Sequence, residues 1–283
     1  MRRGNAPGTC PRTRAVRSCR AVDRPDDTND VDVWYWPTAR VSTAELEAQQ
    51  DILSDDERDR CDRFVVERDR RDYAAAHVLL RRVLSLYGEP APATWRFSRN
   101  RHGRPSIVPE QAAARPLNFS LSHTRGLVAC AVTSTRDVGI DVELIGEKAA
   151  APELAERLFA RSEVAMLRNC EPEEYATRFM ELWTLKEAYI KAVGVGLGHS
   201  LDSFAFCFHG ITGLRFSAPP DGMSSQWRFM LGASSSEYRL ALAVRCRGSE
   251  GALRLAIHTP GGIVGTPLTP LRTSSGVAIS VGP

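Results

Sequence analysis

The sequence predicts an α+β fold made of two subdomains, and three observations carry that expectation. The chain has 283 residues, enough for two domains of roughly 100–150 residues with a core in each. It is 43% apolar and 25% charged, ordinary values for a soluble globular protein. Helix and strand signals fall into two blocks of similar size, residues 30–137 and 138–260, each mixing both element types as α+β folds do. Residues 1–29 are expected to be a disordered basic leader, and residues 261–283 a disordered tail.

The elements follow in order. Residues 31–36 alternate, with Val31, Val33 and Tyr35 on one face, and read as a strand. Ser42-x-x-Glu45 and Ser54-x-x-Glu57 are capping boxes, in which the hydroxyl accepts a free backbone N–H while the Glu returns to the cap, so each starts a helix. Residues 68–87 carry Tyr73, Ala76, Leu80, Val83, Leu84 and Tyr87 at three- and four-residue spacing before Gly88, the pattern of an amphipathic helix and its stop. A Pro-rich connector, 90–95, leads to strands at 95–98, 118–122, 127–133 and 138–144, with a turn at 100–105. Helices are expected at 152–168 and 173–193, the second ended by Gly194 and Gly196. Further strands fit 203–209, 214–217, 226–231, 238–246 and 253–258. After Thr259 the chain is rich in Gly, Pro, Thr and Ser and reads as a tail.

Charge and cysteine usage bound the function. The formal net charge is +3, but residues 1–24 hold seven Arg against one acid, so the remaining body is slightly acidic. That argues against nucleic acid as a partner. No apolar run nears the ~20 residues of a membrane span, and no apolar core follows the basic start as a secretory signal requires. The seven Cys, at 10, 19, 61, 130, 170, 207 and 246, form no C-x-x-C pair and suit a reducing cytoplasm.

Three segments carry chemistry. In Val138-Gly139-Ile140-Asp141-Val142-Glu143-Leu144, alternation sets Asp141 and Glu143 on one face, with Cα atoms ~6.7 Å apart. If their oxygens converge to ~4 Å, they repel by about 4 kcal/mol at an effective dielectric near 20. A hard divalent ion such as Mg2+ offsets that and also engages phosphates. Alone, the pair more often marks a solvated strand face, since D-x-E is common by chance. The helix near 179–192 aligns Trp183, Glu187 and Lys191 at four-residue intervals. There the Glu suits a third metal ligand or a base, and the Lys suits phosphate neutralisation or proton donation. Ser122-His123-Thr124 closes an apolar strand, where ligands often bind, but no G-x-S-x-G elbow surrounds Ser122.

Together, F-S-L-S-H-T, V-G-I-D-V-E and W-T-x-K-E-A-x-x-K-A-x-G-x-G-L, in this order, resemble the 4′-phosphopantetheinyl transferases of the surfactin-activating (Sfp) type over roughly residues 30–260. The resemblance implies a pseudo-dimer of two similar α+β halves with the active site in the cleft between them. It implies transfer of the phosphopantetheine arm of coenzyme A to a serine of an apo acyl carrier or peptidyl carrier domain, releasing 3′,5′-ADP, of the kind linked to polyketide and nonribosomal peptide synthesis. By position, Asp141, Glu143 and Glu187 would hold Mg2+, with Mn2+ as a substitute. Glu187 would take the serine proton, and Lys191 would stabilise or protonate the leaving phosphate. Ser122 and His123 would meet the 3′-phosphoadenosine end, with Arg60, Arg63 and the Gly103-Arg104-Pro105 turn as further contacts. Arg104 stands where the family usually has Lys, and Glu57 where some members carry a phosphate-binding Lys. The resemblance also implies a monomer. From the residues alone the alternatives are a metal-dependent phosphoesterase or nuclease, which would want a basic groove, and a non-catalytic carrier- or coenzyme-A-binding module, which would have lost a carboxylate or the lysine.

Overall fold

Strand β1, Val31–Pro37, is buried on both faces, and its alternation sorts two cores. Val31, Val33 and Tyr35 enter one; Trp34 and Trp36 enter another. A computed structural model describes residues 30–113, 116–146, 152–196, 200–220, 222–246, 252–260 and 267–281. After β1 come α1 (Thr43–Glu47), α2 (Asp55–Asp62) and α3 (Glu67–Tyr87), then a hairpin of β2 (Phe97–Arg99) and β3 (Pro105–Ile107), and α4 (Pro109–Ala112). Strands β4 (Asn118–Thr124), β5 (Leu127–Thr133) and β6 (Val138–Leu144) lead to helices α5 (Pro152–Leu158), α6 (Arg161–Arg168) and α7 (Pro172–Val193). The chain closes with β7 (Ala205–His209), β8 (Gly213–Ser217), β9 (Trp227–Ser235), β10 (Tyr238–Arg245), β11 (Leu253–His258), β12 (Thr269–Thr273) and β13 (Val277–Val281).

The α+β expectation holds. One sheet has the order β13-β11-β1-β5-β4 and the other β6-β10-β9-β12-β8-β7. Their inner faces share a core: Val33, Ala129 and Leu255 from the first meet Ile140, Val142, Leu240 and Leu242 from the second. Helix α3 covers the outer face of the first sheet through Ala76, Leu80 and Val83. Helix α7 covers the second through Leu185, Ala188 and Ala192. Each half thus repeats one plan, a long helix over a sheet, consistent with a pseudo-dimer. Among the described residues no helix is long and apolar enough to cross a membrane.

Several expectations need correction. The 261–283 segment is not a featureless tail. Strand β12 lies inside the second sheet, antiparallel to β9 and touching β8, while β13 adds to the first sheet, parallel to β11. Strand β11, grouped with the second half, runs parallel to β1 in the first sheet. Strands β11, β12 and β13 therefore staple both halves, because backbone ladders accept the polar residues that masked the last two in the sequence. The helix expected at 152–168 breaks at Phe159-Ala160, where Phe159 turns into the core and the Glu163 carboxylate accepts Ala160 N–H at 2.9 Å. The basic leader, 1–29, lies outside the described residues.

Both capping boxes form, and the second has a further role. Glu57 is buried, with Arg81 Nε 2.8 Å from one oxygen and His77 Nδ1 2.9 Å from the other. It faces inward and is no substitute for a surface phosphate-binding lysine. Burial pushes its carboxyl up, but His77 and Arg81 outweigh that and hold it down at about 2. A depressed pKa contributes stability that is present above the unfolded value and lost as pH falls through the folded one. Glu57→Gln should therefore destabilise by roughly 3 kcal/mol at neutral pH. In urea titrations across pH, the gap from wild type should close between about 4.5 and about 2. A gap that persists at acid pH would show packing loss instead. A chain ended at Pro260 should melt well below the full chain, since it lacks β12 and β13; equal melting temperatures would show that the strands are dispensable.

Candidate active site

The site starts from strand alternation. Ile140 and Val142 point into the shared core, so Asp141 and Glu143 face α7. Gly139 lets that helix come close: a Cβ there would lie 2.0 Å from Ala188 O and 2.4 Å from Ala192 N. The last turns of α7 rest directly on β6 backbone. The Trp183, Glu187 and Lys191 face then meets the carboxylates in order. Lys191 Nζ is 2.6 Å from Asp141 Oδ1, and Trp183 Nε1 donates to Glu143 Oε1 at 3.0 Å. Glu187, between them on the helix and half-buried, lies within charge range of Asp141 and Lys191.

Crowding shows in the electrostatics. Burial, and next the Asp141 charge, push Glu143 up to about 7; burial and Asp141 also raise Glu187. Asp141 Oδ2 is buried without a hydrogen-bond partner. One ammonium does not balance three carboxylates, and an orphaned carboxylate oxygen is costly in such a site. An all-carboxylate donor set with a spare buried oxygen fits a hard divalent cation. Among the described residues, no three such side chains already stand as a ligand cage: Asp141 Oδ1 is taken by Lys191 and Ser122.

Ser122 sits deeper than a strand-end ligand contact. Its hydroxyl donates to Asp141 Oδ1 at 2.9 Å and accepts from Lys191 Nζ at 2.8 Å and Val142 N at 3.3 Å, using its one proton and both lone pairs. Ser120 Oγ likewise accepts Ile140 N at 3.0 Å. These serines join β4 and β6, the facing edges of the two sheets, by side chain to backbone. His123, exposed at the end of β4, lies within charge range of Lys191.

A cleft of about 230 Å³ opens beside the cluster, lined by Gly103, Arg104, Pro105, Ser120, Glu187 and Lys191 among others. The structure therefore brings the Gly-Arg-Pro turn to the carboxylate site, although 34 residues separate Arg104 from Val138, whose carbonyl it binds. Gly103 has φ of 84° and open space around it, the left-handed turn conformation that glycine favours. Arg60 and Arg63 are not brought into the cleft. Arg60 lies over the Tyr73 ring, 5.8 Å from its centroid, and Arg63 caps the C-terminus of α2.

Two supports escaped the sequence. Lys186, beside Glu187, is fully buried against Glu163 at 2.7 Å and donates to Leu201 O and Phe204 O at 2.7 and 2.8 Å. Glu163 also accepts Phe206 N at 2.8 Å. A buried charge pair with every polar atom engaged fixes how α7 is rotated. Nothing local announces it, because Glu163 lies 23 positions away on a different helix. Gly139 was more legible: a glycine inside an apolar strand signals close backbone approach.

Residues 38–135 match the family described as 4′-phosphopantetheinyl transferase, N-terminal, and residues 137–243 the 4′-phosphopantetheinyl transferase superfamily. The chain is 34% identical over 170 residues to 4′-phosphopantetheinyl transferase HetI of Nostoc, covering 60% of this chain and 71% of that one. It is 33% identical over 169 residues to 4′-phosphopantetheinyl transferase Sfp of Bacillus subtilis, covering 60% and 72%. A phosphopantetheinyl transferase of Thraustochytrium is 28% identical over 245 residues, covering 81% and 82%.

Gly139→Ala places a methyl group inside the α7 backbone, so it should destabilise by about 1–3 kcal/mol or more and shift Lys191 away from Asp141. Melting temperature and the crystal structure of the variant check this. Unchanged stability with Lys191 still on Asp141 would show that the contact has slack.

Proposed function

The chain belongs to the 4′-phosphopantetheinyl transferase superfamily, and on that premise we propose how its residues carry the transfer of the phosphopantetheine arm of coenzyme A to a carrier protein. The acceptor is a serine hydroxyl of an apo acyl or peptidyl carrier domain, and 3′,5′-ADP leaves. One observation carries the reading: Lys191, Ser122 and Asp141 meet within 2.9 Å, Glu143 lies within charge range of Asp141 and Lys191, and Glu187 and Lys191 line one cleft.

Phosphoryl-type displacement asks a protein mainly for positioning and charge neutralisation. Asp141, Glu143 and Glu187 would hold Mg2+, which when bound supplies positive charge to the diphosphate. Glu187, its carboxyl raised by burial and by Asp141, takes the acceptor serine's proton, directly or through water, because a base nearer neutrality transfers protons more effectively. Lys191 steadies the negative charge that grows on the departing phosphate and gives it a proton. Trp183 holds Glu143 by its indole N–H. The exposed His123, together with Arg60 and Arg63, would contact the 3′-phosphoadenosine end, and Gly103 and Pro105 wall the cleft that would take the arm. Ser122 orients Asp141 and Lys191. Both halves of the site come from one chain, so a monomer suffices. Cys61, Cys130, Cys170 and Cys207 are free thiols, which agrees with work in a reducing cytoplasm.

The direct test is incubation with coenzyme A, Mg2+ and a purified apo-carrier domain, read by intact mass. A gain of one phosphopantetheine arm is expected, lost with chelator and restored by Mg2+. No gain across several carrier domains would sink the assignment. Glu187→Gln should slow transfer by about 100-fold or more with an unchanged circular-dichroism spectrum; full activity would remove Glu187 from its role.

A further inference from the structure

Arg104, half-buried at the edge of the cleft, turns its guanidinium onto the protein's own backbone. Its Nη1 donates to Ala192 O at 2.8 Å and its Nη2 to Val138 O at 3.1 Å. Ala192 follows Lys191 on the last turn of α7, and Val138 precedes Gly139 on β6, so the guanidinium bridges the two backbones next to the point where they touch. The turn that presents it is stitched to itself: Asn100 Oδ1 accepts His102 N at 2.9 Å and Arg104 N at 3.0 Å, and Asn100 N donates to Arg104 O at 3.0 Å. The same Asn100 reaches across to donate from Nδ2 to Gly194 O at 3.1 Å. Gly194, with φ of 78°, makes room, since a Cβ there would lie 2.8 Å from Arg104 Nη1. Three hydrogen bonds therefore tie a hairpin of the first half to the helix end and strand start of the second.

We infer that Arg104 is a positioning residue, which clamps the last turn of α7 onto β6 and so sets where Lys191 and Glu187 stand, and that it is not a phosphate contact. A planar fork can serve two carbonyls at once, whereas a lysine ammonium at the same position is a single point of charge and cannot hold both in the same geometry. Two of its five N–H groups already hold Ala192 O and Val138 O, so swinging the guanidinium out to grip a phosphate with its full fork would release the turn that carries Lys191. The inference rests on the assignment of Lys191 and Glu187 to the reaction, proposed above.

The experiment compares the full-length wild type with Arg104→Lys and Arg104→Ala. It measures kcat with coenzyme A and an apo-carrier domain, and separately the affinity for 3′,5′-ADP by calorimetry. A displaced catalytic turn should lower kcat by about 10- to 100-fold while 3′,5′-ADP affinity is kept. Hydrogen exchange at residues 190–194 should quicken in the same variants. Weakened 3′,5′-ADP binding, or an undiminished kcat, overturns the inference. If Arg104→Ala does not fold, Arg104→Lys alone decides by the same two readouts. Lys191→Ala with Arg104 intact is the separate control: if it transfers at the wild-type rate, the assignment of Lys191 fails, whereas the binding arm still reports whether Arg104 touches the phosphates.

Discussion

The site depends on one missing methyl group. Because Gly139 has no side chain, the carbonyl of Ala188 and the amide of Ala192 lie where a Cβ would be, and α7 approaches β6 at backbone distance. Side chains on the helix can then meet the carboxylates on the strand. Trp183 reaches Glu143, and Lys191 reaches Asp141, only because the axis of the helix is this near to the strand. Other features guard the same contact from different sides. The buried Glu163–Lys186 pair sets the rotation of α7, Arg104 and Asn100 fasten its end, and Ser120 and Ser122 hold β6 against β4.

Closeness brings charge into conflict. Three carboxylates share a partly desolvated wall with one ammonium, and the structure registers the strain as raised proton affinity at Glu143 and Glu187. Such a cluster is poor at stabilising a fold and well suited to receiving positive charge. Ser122 moderates it locally, its single hydroxyl placed between the ammonium and a carboxylate. That role differs from the one its motif suggests. A serine one residue before a strand-end histidine looks like a ligand contact, but β4 alternates, so Ser122 turns inward while His123 turns out.

Much of this could be read from residues alone. Strand alternation in V-G-I-D-V-E separated the core face from the acidic one, and four-residue spacing put Trp183, Glu187 and Lys191 on one face of α7. The turn at 100–105 and both capping boxes were also legible, because each is a local pattern with a local cause. What escaped was non-local. The partner of Lys186 lies on another helix, the carbonyls bound by Arg104 carry no side-chain signature, and Glu57 turns inward only because Arg81 and His77 wait on α3. The last strands were hidden for a related reason. Their Gly, Pro, Thr and Ser content is that of a loop, and only the ladders offered by β9 and β11 order them.

Those last strands also determine how the molecule must be made. Strand β1 has β5 on one side but needs β11 on the other, and β11 needs β13. A ribosome releasing the chain from its N-terminus exposes an unfinished sheet edge until the final residues emerge. Domains generally fold as units during synthesis, yet here the first half waits for the last. Pairings this distant in sequence carry a high loop-closure cost and slow folding. The two halves that look alike are consequently not separable modules: β11 and β13 complete one sheet and β12 sits inside the other, so neither half finishes its sheet from its own stretch of chain.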